Sequence, residues 1–172
     1  MASRVVKIDG TVPERQYVPE YTVGVARKEI VYPGLAQCIS VTGYYQGRLI
    51  GTHVSPGCTA EELDDHFAML RTESESQALS WYVAGQFRNH FQTSKAIMDS
   101  RDALERTVQG QLGQHCTFHL FDTSAVALEI GGFGIDLLAS IVNAQVKFGI
   151  AKAFGSKQKT FKNIALWYFT RI

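Results

Sequence analysis

The sequence lacks the features that mark several classes of function. It has only three cysteines, Cys38, Cys58 and Cys116, and they are widely spaced. An odd, scattered set builds neither an even disulfide framework nor the paired CxxC of a structural zinc site. Such usage fits folding in a reducing compartment, or an exported effector that dispenses with disulfides. There is no excess of either charge: 17 Lys and Arg against 16 Asp and Glu leave a formal net charge of +1. That balance removes the electrostatic footing of a nucleic-acid binder or a polybasic membrane binder. Long apolar runs are missing too. The stretches at 135–142 and 164–169 fall far short of the ~20 residues that cross a bilayer, so no membrane insertion is expected. The amino end, MASRVVKIDGTVPERQYVPEY, carries charges throughout and has no apolar h-region. It does not read as a secretory signal, and the expected location is the cytoplasm, or a host cell reached without a classical signal peptide.

What is present is an ordinary globular composition. The 172 residues are 45% apolar and 19% charged, enough for one domain with its own core. Residues 1–20, with Gly10, Pro13 and Pro19, read as an irregular lead-in, and 21–172 as a single α+β domain of catalytic type. Residues 21–31, rich in Val and Ile, suggest a strand that Pro33-Gly34 interrupts. CISVTGYY and RLIGTHV flank Gln46-Gly47 and predict a β-hairpin. Thr59 and Glu62 form a capping box ahead of Leu63, Phe67 and Leu70 at helical spacing. SWYV within 79–87 favours a strand. Residues 93–112 look helical, with Ile97, Leu104 and Val108 on one face. Strands are expected at 117–121, at 125–130 and, buried on both faces, at 161–172, while 135–146 fits either a helix or two strands. The resulting fold class is α+β: a mixed, mostly antiparallel, sandwich-like β core flanked by helices.

The chemistry concentrates around Cys38 and His53. If Gln46 and Gly47 are the two turn residues, His53 faces Ser40, and Cys38 is its diagonal neighbour roughly 7–8 Å away on the same face. A turn at Tyr45-Gln46 would instead set Cys38 opposite His53. Only an odd loop or a bulge would separate the two side chains. The pairing matters because an adjacent imidazole can lower a thiol pKa from roughly 8.5 to below neutrality, and the thiolate is the nucleophile. A Cys-His pair can attack an amide carbonyl and then activate water to release the acyl group, with nearby backbone N–H groups holding the oxyanion. The same two residues also fit ordinary packing on a strand pair.

GLAQCISV followed by GTHVSPG resembles the chemotaxis receptor deamidases (the CheD family), with their Gly-Leu-x-x-Cys turn entering a Val-rich strand and Gly-x-x-His soon after. The fifteen-residue spacing from Cys38 to His53 also looks like the catalytic domain of the cytotoxic necrotizing factor toxins. The similarity covers about residues 20–60. It implies a mixed β core flanked by helices, a protein substrate presenting a glutamine side chain, Cys38 as nucleophile and His53 as general base and acid, with no cofactor and no metal. The receptor deamidases carry a catalytic Thr six residues before the Cys, where this chain has Tyr32. A third, orienting group would then be a backbone carbonyl, as the toxins are understood to use. The function this implies is a cysteine-dependent protein-glutamine deamidase, of effector, toxin or chemotaxis type. A non-catalytic interaction domain with the same core, a transamidase and a cysteine protease are the alternatives.

Other polar clusters read as structure. On a strand His115 and His119 share one face and Cys116 takes the other, which argues against a three-ligand metal site. Gly131-Gly132-Phe133-Gly134 lacks the GxGxxG order and reads as a turn. Glu61, Glu62, Asp64 and Asp65 suit a helix N-terminus. Residues 157–162 form a short basic loop, and His66 and His90 have no evident partner.

Overall fold

The computed structural model describes residues 2–94, 98–130, 134–153, 160–164 and 168–172. The strands and helices among them, in chain order, are β1 (Val6–Lys7), β2 (Arg15–Tyr17), β3 (Thr22–Ala26), β4 (Glu29–Leu35), β5 (Ile39–Tyr45), β6 (Arg48–Val54), α1 (Ala60–Glu73), β7 (Ser80–Gly85), α2 (Phe87–Thr93), α3 (Arg101–Leu112), β8 (Thr117–Asp122), α4 (Ser124–Glu129), β9 (Ile135–Val142), β10 (Gln145–Lys152), β11 (Lys162–Ile164) and β12 (Thr170–Arg171). The fold is α+β. One sheet runs β1-β3-β6-β5-β7-β8-β12 and the other β11-β10-β9-β4-β2. Most neighbours are antiparallel; β1 with β3, β7 with β8, and β2 with β4 are parallel.

The two-residue alternation of strands sorts the seven-stranded sheet into two faces. Ile39, Val41, Ile50, Trp81, Val83, Phe118 and Leu120 pack on one side with Leu63, Phe67 and Leu70 of α1 and Leu104 and Val108 of α3. Cys38, Leu49, Ala84 and Phe121 face the other way, onto Ile30, Tyr32 and Leu35 of β4, Leu137 of β9 and Phe148 of β10. The molecule is therefore a β-sandwich with helices covering one outer face. The second core, between the sheets, is where the candidate dyad lies.

The central hairpin forms as its sequence predicts. Gln46 and Gly47 both take positive φ, 48° and 76°, the geometry of a two-residue turn matched to strand twist. Ser40 consequently pairs with His53. Asn143 and Ala144 repeat the device at φ 52° and 60°, and they resolve 135–146 as strands. Thr59 and Glu62 cap α1 reciprocally.

Several expectations fail. The 21–31 strand is two, β3 and β4, because the chain turns at Arg27-Lys28 beneath hydrogen bonds to Pro13 and Glu14 carbonyls. Pro33-Gly34 does not end β4; it makes an irregularity in the pairing with β9, with Gly34 at φ +67° and its N–H donating to Asp136 at 2.9 Å. The lead-in is not irregular throughout, since β1 and β2 each add an edge to a sheet. Residues 125–130 form most of α4 rather than a strand: Asp122 accepts from the N–H and hydroxyl of Ser124 and starts a helix that short apolar runs do not betray. The 93–112 helix is α3 alone from 101, capped by Ser100, with α2 ending at Thr93. The terminal segment is not one buried strand; β11 and β12 are short, with Lys162, Asn163, Thr170 and Arg171 exposed. Ile97, Gly131-Gly132-Phe133 and residues 157–159 of the basic loop lie outside the described residues.

Candidate active site between the sheets

Cys38 stands just before β5 and His53 one residue before the end of β6, both turned into the space between the sheets. Both are buried, at 3% and 0% exposure. The Cys38 sulfur, one ring nitrogen of His53 and a carboxylate oxygen of Glu20 all lie within 4.8 Å of one another. His53 Nδ1 is 2.8 Å from the Val18 carbonyl oxygen. A carbonyl can only accept, so Nδ1 carries the proton and Nε2 is left with a lone pair. That Nε2 is buried and has no hydrogen-bond partner among the described residues. The thiol is not bonded to it; Sγ donates instead to Glu20 Oε1 at 3.2 Å. Glu20 itself is exposed, so the thiol lies directly beneath a surface carboxylate.

This arrangement favours the neutral form of both groups. The Cys38 thiol is pushed well up, first by burial and then by the Glu20 charge, which opposes a second negative charge beside it. His53 is pushed down by burial, against the opposing pull of the Val18 carbonyl and Glu20. Burial thus opposes the thiolate-imidazolium form at both groups, while Glu20 opposes the thiolate and favours the imidazolium.

Tyr32 reaches across from β4. Its hydroxyl meets Thr42 Oγ1 at 2.6 Å, and its ring stands edge-on to His53 with centroids 6.2 Å apart. A side chain on Gly51 would put its Cβ 1.8 Å from the tyrosine oxygen, so the glycine of GTH makes room for Tyr32. The phenol thus packs the imidazole, while Val18, in the lead-in, supplies the orienting carbonyl.

The loop before Cys38 is held from α2. Gln86, the residue before that helix, donates to the Leu35 carbonyl at 3.3 Å, Asn89 to Ala36 at 3.3 Å and His90 Nδ1 to Gln37 at 2.8 Å. With these consecutive carbonyls engaged, the loop fixes the backbone on which the Gln37 and Cys38 N–H groups stand next to the thiol. Two such N–H groups beside a nucleophile are what an oxyanion requires.

A second Cys-His pair, not foreseen from the sequence, lies on the opposite face of β6. The Thr52 hydroxyl donates to the Thr22 carbonyl at 2.8 Å, so its oxygen accepts from His66 Nδ1 at 2.5 Å. His66 Nε2 then accepts from the Cys58 thiol at 3.5 Å. Burial pushes His66 down to about 4 and Cys58 up to about 12. The eight-residue offset between Cys58 and His66, spanning the capping box, was the available signal. Glu20, Val18 and the α2 side chains carry no comparable signature.

The remaining thiol, Cys116, donates to the Ala78 carbonyl at 3.2 Å and lies 3.6 Å from His115 Nε2; both residues precede β8, so the strand alternation expected of them does not apply. His119 stacks on Tyr82 with centroids 4.6 Å apart. Among the described residues, no helix is long and apolar enough to cross a membrane. No protein-family model and no curated protein matches this chain.

Proposed function

We propose that the protein is a cysteine amidohydrolase acting on a glutamine side chain of a protein substrate, with Cys38 as nucleophile and His53 as base and acid. The observation that carries this is His53: its Nδ1–H is fixed on the Val18 carbonyl, its Nε2 is buried with no partner among the described residues, and a nitrogen of the ring lies within 4.8 Å of the Cys38 sulfur. The resemblance of GLAQCISV and GTHVSPG to receptor deamidases and necrotizing-factor toxins supports the choice of substrate.

Once a substrate displaces Glu20, the thiol proton passes to His53 Nε2 and the sulfur adds to the amide carbon. The Gln37 and Cys38 N–H groups hold the oxygen that becomes negative. Collapse breaks the carbon–nitrogen bond as the imidazolium gives its proton to departing ammonia. Water, deprotonated by the same Nε2, then attacks the thioester and releases a glutamate side chain. An amine in place of water would give transamidation.

Iodoacetamide labelling with peptide mapping, alongside ammonia release from candidate substrate proteins, tests this. Cys38 is expected to be the labelled thiol in wild type, with labelling and ammonia release both lost in Cys38→Ser. The non-catalytic reading is favoured by the enclosed, neutral state of the thiol. It prevails if Cys38 stays unlabelled at every pH at which the protein is folded.

A further inference from the structure

We propose that Glu20, Cys38 and His53 form a binding site for one zinc-class divalent ion. These three offer a carboxylate oxygen, a sulfur and an imidazole nitrogen within 4.8 Å of one another, the one such cluster among the described residues. Zinc takes N, O and S ligands at about 2.0–2.3 Å, so atoms in a tetrahedral shell stand roughly 3.3–3.8 Å apart. The cluster therefore needs to contract by about 1.5 Å at most. Sγ and Glu20 Oε1, at 3.2 Å, are already at such a spacing. The contraction is asked of an exposed carboxylate arm and a thiol rotamer, not of the sheet.

Two further features point to a metal. His53 Nε2 is buried with no partner among the described residues, an unmet polar atom that a cation would satisfy. His53 Nδ1–H rests on a backbone carbonyl, the outer-shell bond that fixes the tautomer and raises the basicity of metal-ligating histidines. The mixed donor set suits zinc or cobalt and is too soft for magnesium or calcium. Binding replaces the S–H bond with a metal–sulfur bond and sends one proton to solvent, so affinity rises with pH. Water entering past Glu20 completes the shell. A thiolate so held cannot be alkylated or attack an amide, and the ion is an inhibitor of this thiol rather than a cofactor.

The site shares its residues with the proposed catalytic pair, but binding is measured on the full chain without any substrate, so either reading can fail alone. The probe is cobalt(II), with zinc as competitor. Expected is one ion per chain and a near-ultraviolet thiolate-to-cobalt band that is lost in Cys38→Ser and retained in Cys58→Ser. Zinc should also protect Cys38 from iodoacetamide. Glu20→Gln, on an exposed side chain, keeps the test informative should Cys38→Ser misfold. It should weaken binding by at least the roughly 10–100-fold that loss of an outer-shell partner costs. The proposal is overturned if wild type gives no thiolate band, if the band survives Cys38→Ser, or if folded Glu20→Gln binds cobalt as tightly as wild type.

Discussion

Two thiol-imidazole pairs sit back to back on β6, and they differ in what they leave undone. On the helix side, Cys58, His66 and Thr52 form a closed chain in which each polar atom has its bond. On the sheet side, Cys38 bonds to an exposed carboxylate and His53 Nε2 has no partner among the described residues. Buried polar groups are normally satisfied, and an unsatisfied one is expensive. A satisfied pair is accounted for by stability, and an unsatisfied pair calls for another explanation. The comparison thus separates a structural Cys-His pair from a candidate working one by accounting for bonds, where sequence motif alone favours neither.

The widest gap should appear in turnover. On a deamidation substrate, Cys38→Ser is expected to reduce the rate on the order of 10⁴-fold or more, since members of a nucleophilic unit fail together. Cys58→Ser should stay within a few-fold of wild type; equal losses from both would erase the distinction.

Acid should break the protein next. His66 and His90 are buried neutral with pKa about 4, against 6.5 for an exposed imidazole. The unfolded chain therefore binds more protons between those values. Stability is full above about 6.5 and is lost as pH falls toward 4, by up to ~3 kcal/mol per histidine. Denaturant titrations from neutral to acid pH should show this slope, and His66→Gln should flatten it by one histidine's share. An unchanged slope would mean the helix-side pair is not the closed cluster described.

Glu20→Gln sharpens the contrast from the other side. Removing the carboxylate charge should move Cys38 alkylation to lower pH by about one to two units, with Cys58 unaffected. Mass-resolved labelling across pH reads both thiols in one sample. A shift in the opposite direction would mean that Glu20 activates the thiol. Tyr32→Phe should have the smallest effect. It loses the bond to Thr42 and costs about 1 kcal/mol in a thermal or denaturant melt, while the ring keeps packing on His53. A loss of turnover matching that of Cys38→Ser would give the phenol a chemical role.

The legible parts of this chain are local. The hairpin register followed from two turn residues, and with it the shared face of Cys38 and His53; the α1 cap followed from Thr59 and Glu62. Residues 125–130 misled because a six-residue helix has too few turns to show a period. The site's other parts come from distant segments: Glu20 is eighteen residues from Cys38, and Val18 thirty-five from His53. Such contacts are made by the stacking of two sheets and leave no spacing to read. The lead-in, with its prolines and charges, reads as irregular for the same reason, although it holds both.

The three bonds from Gln86, Asn89 and His90 also have a mechanical consequence. A peptide plane turns over only if its carbonyl is released, and here successive planes are tied to partners more than fifty residues along the chain. The stretch ahead of the thiol thus moves with α2 as one rigid piece and cannot flip independently. Drift at those three positions would be felt first as a change of loop shape around an intact cysteine, so a descendant that kept its sulfur could still have lost the surface that aims it.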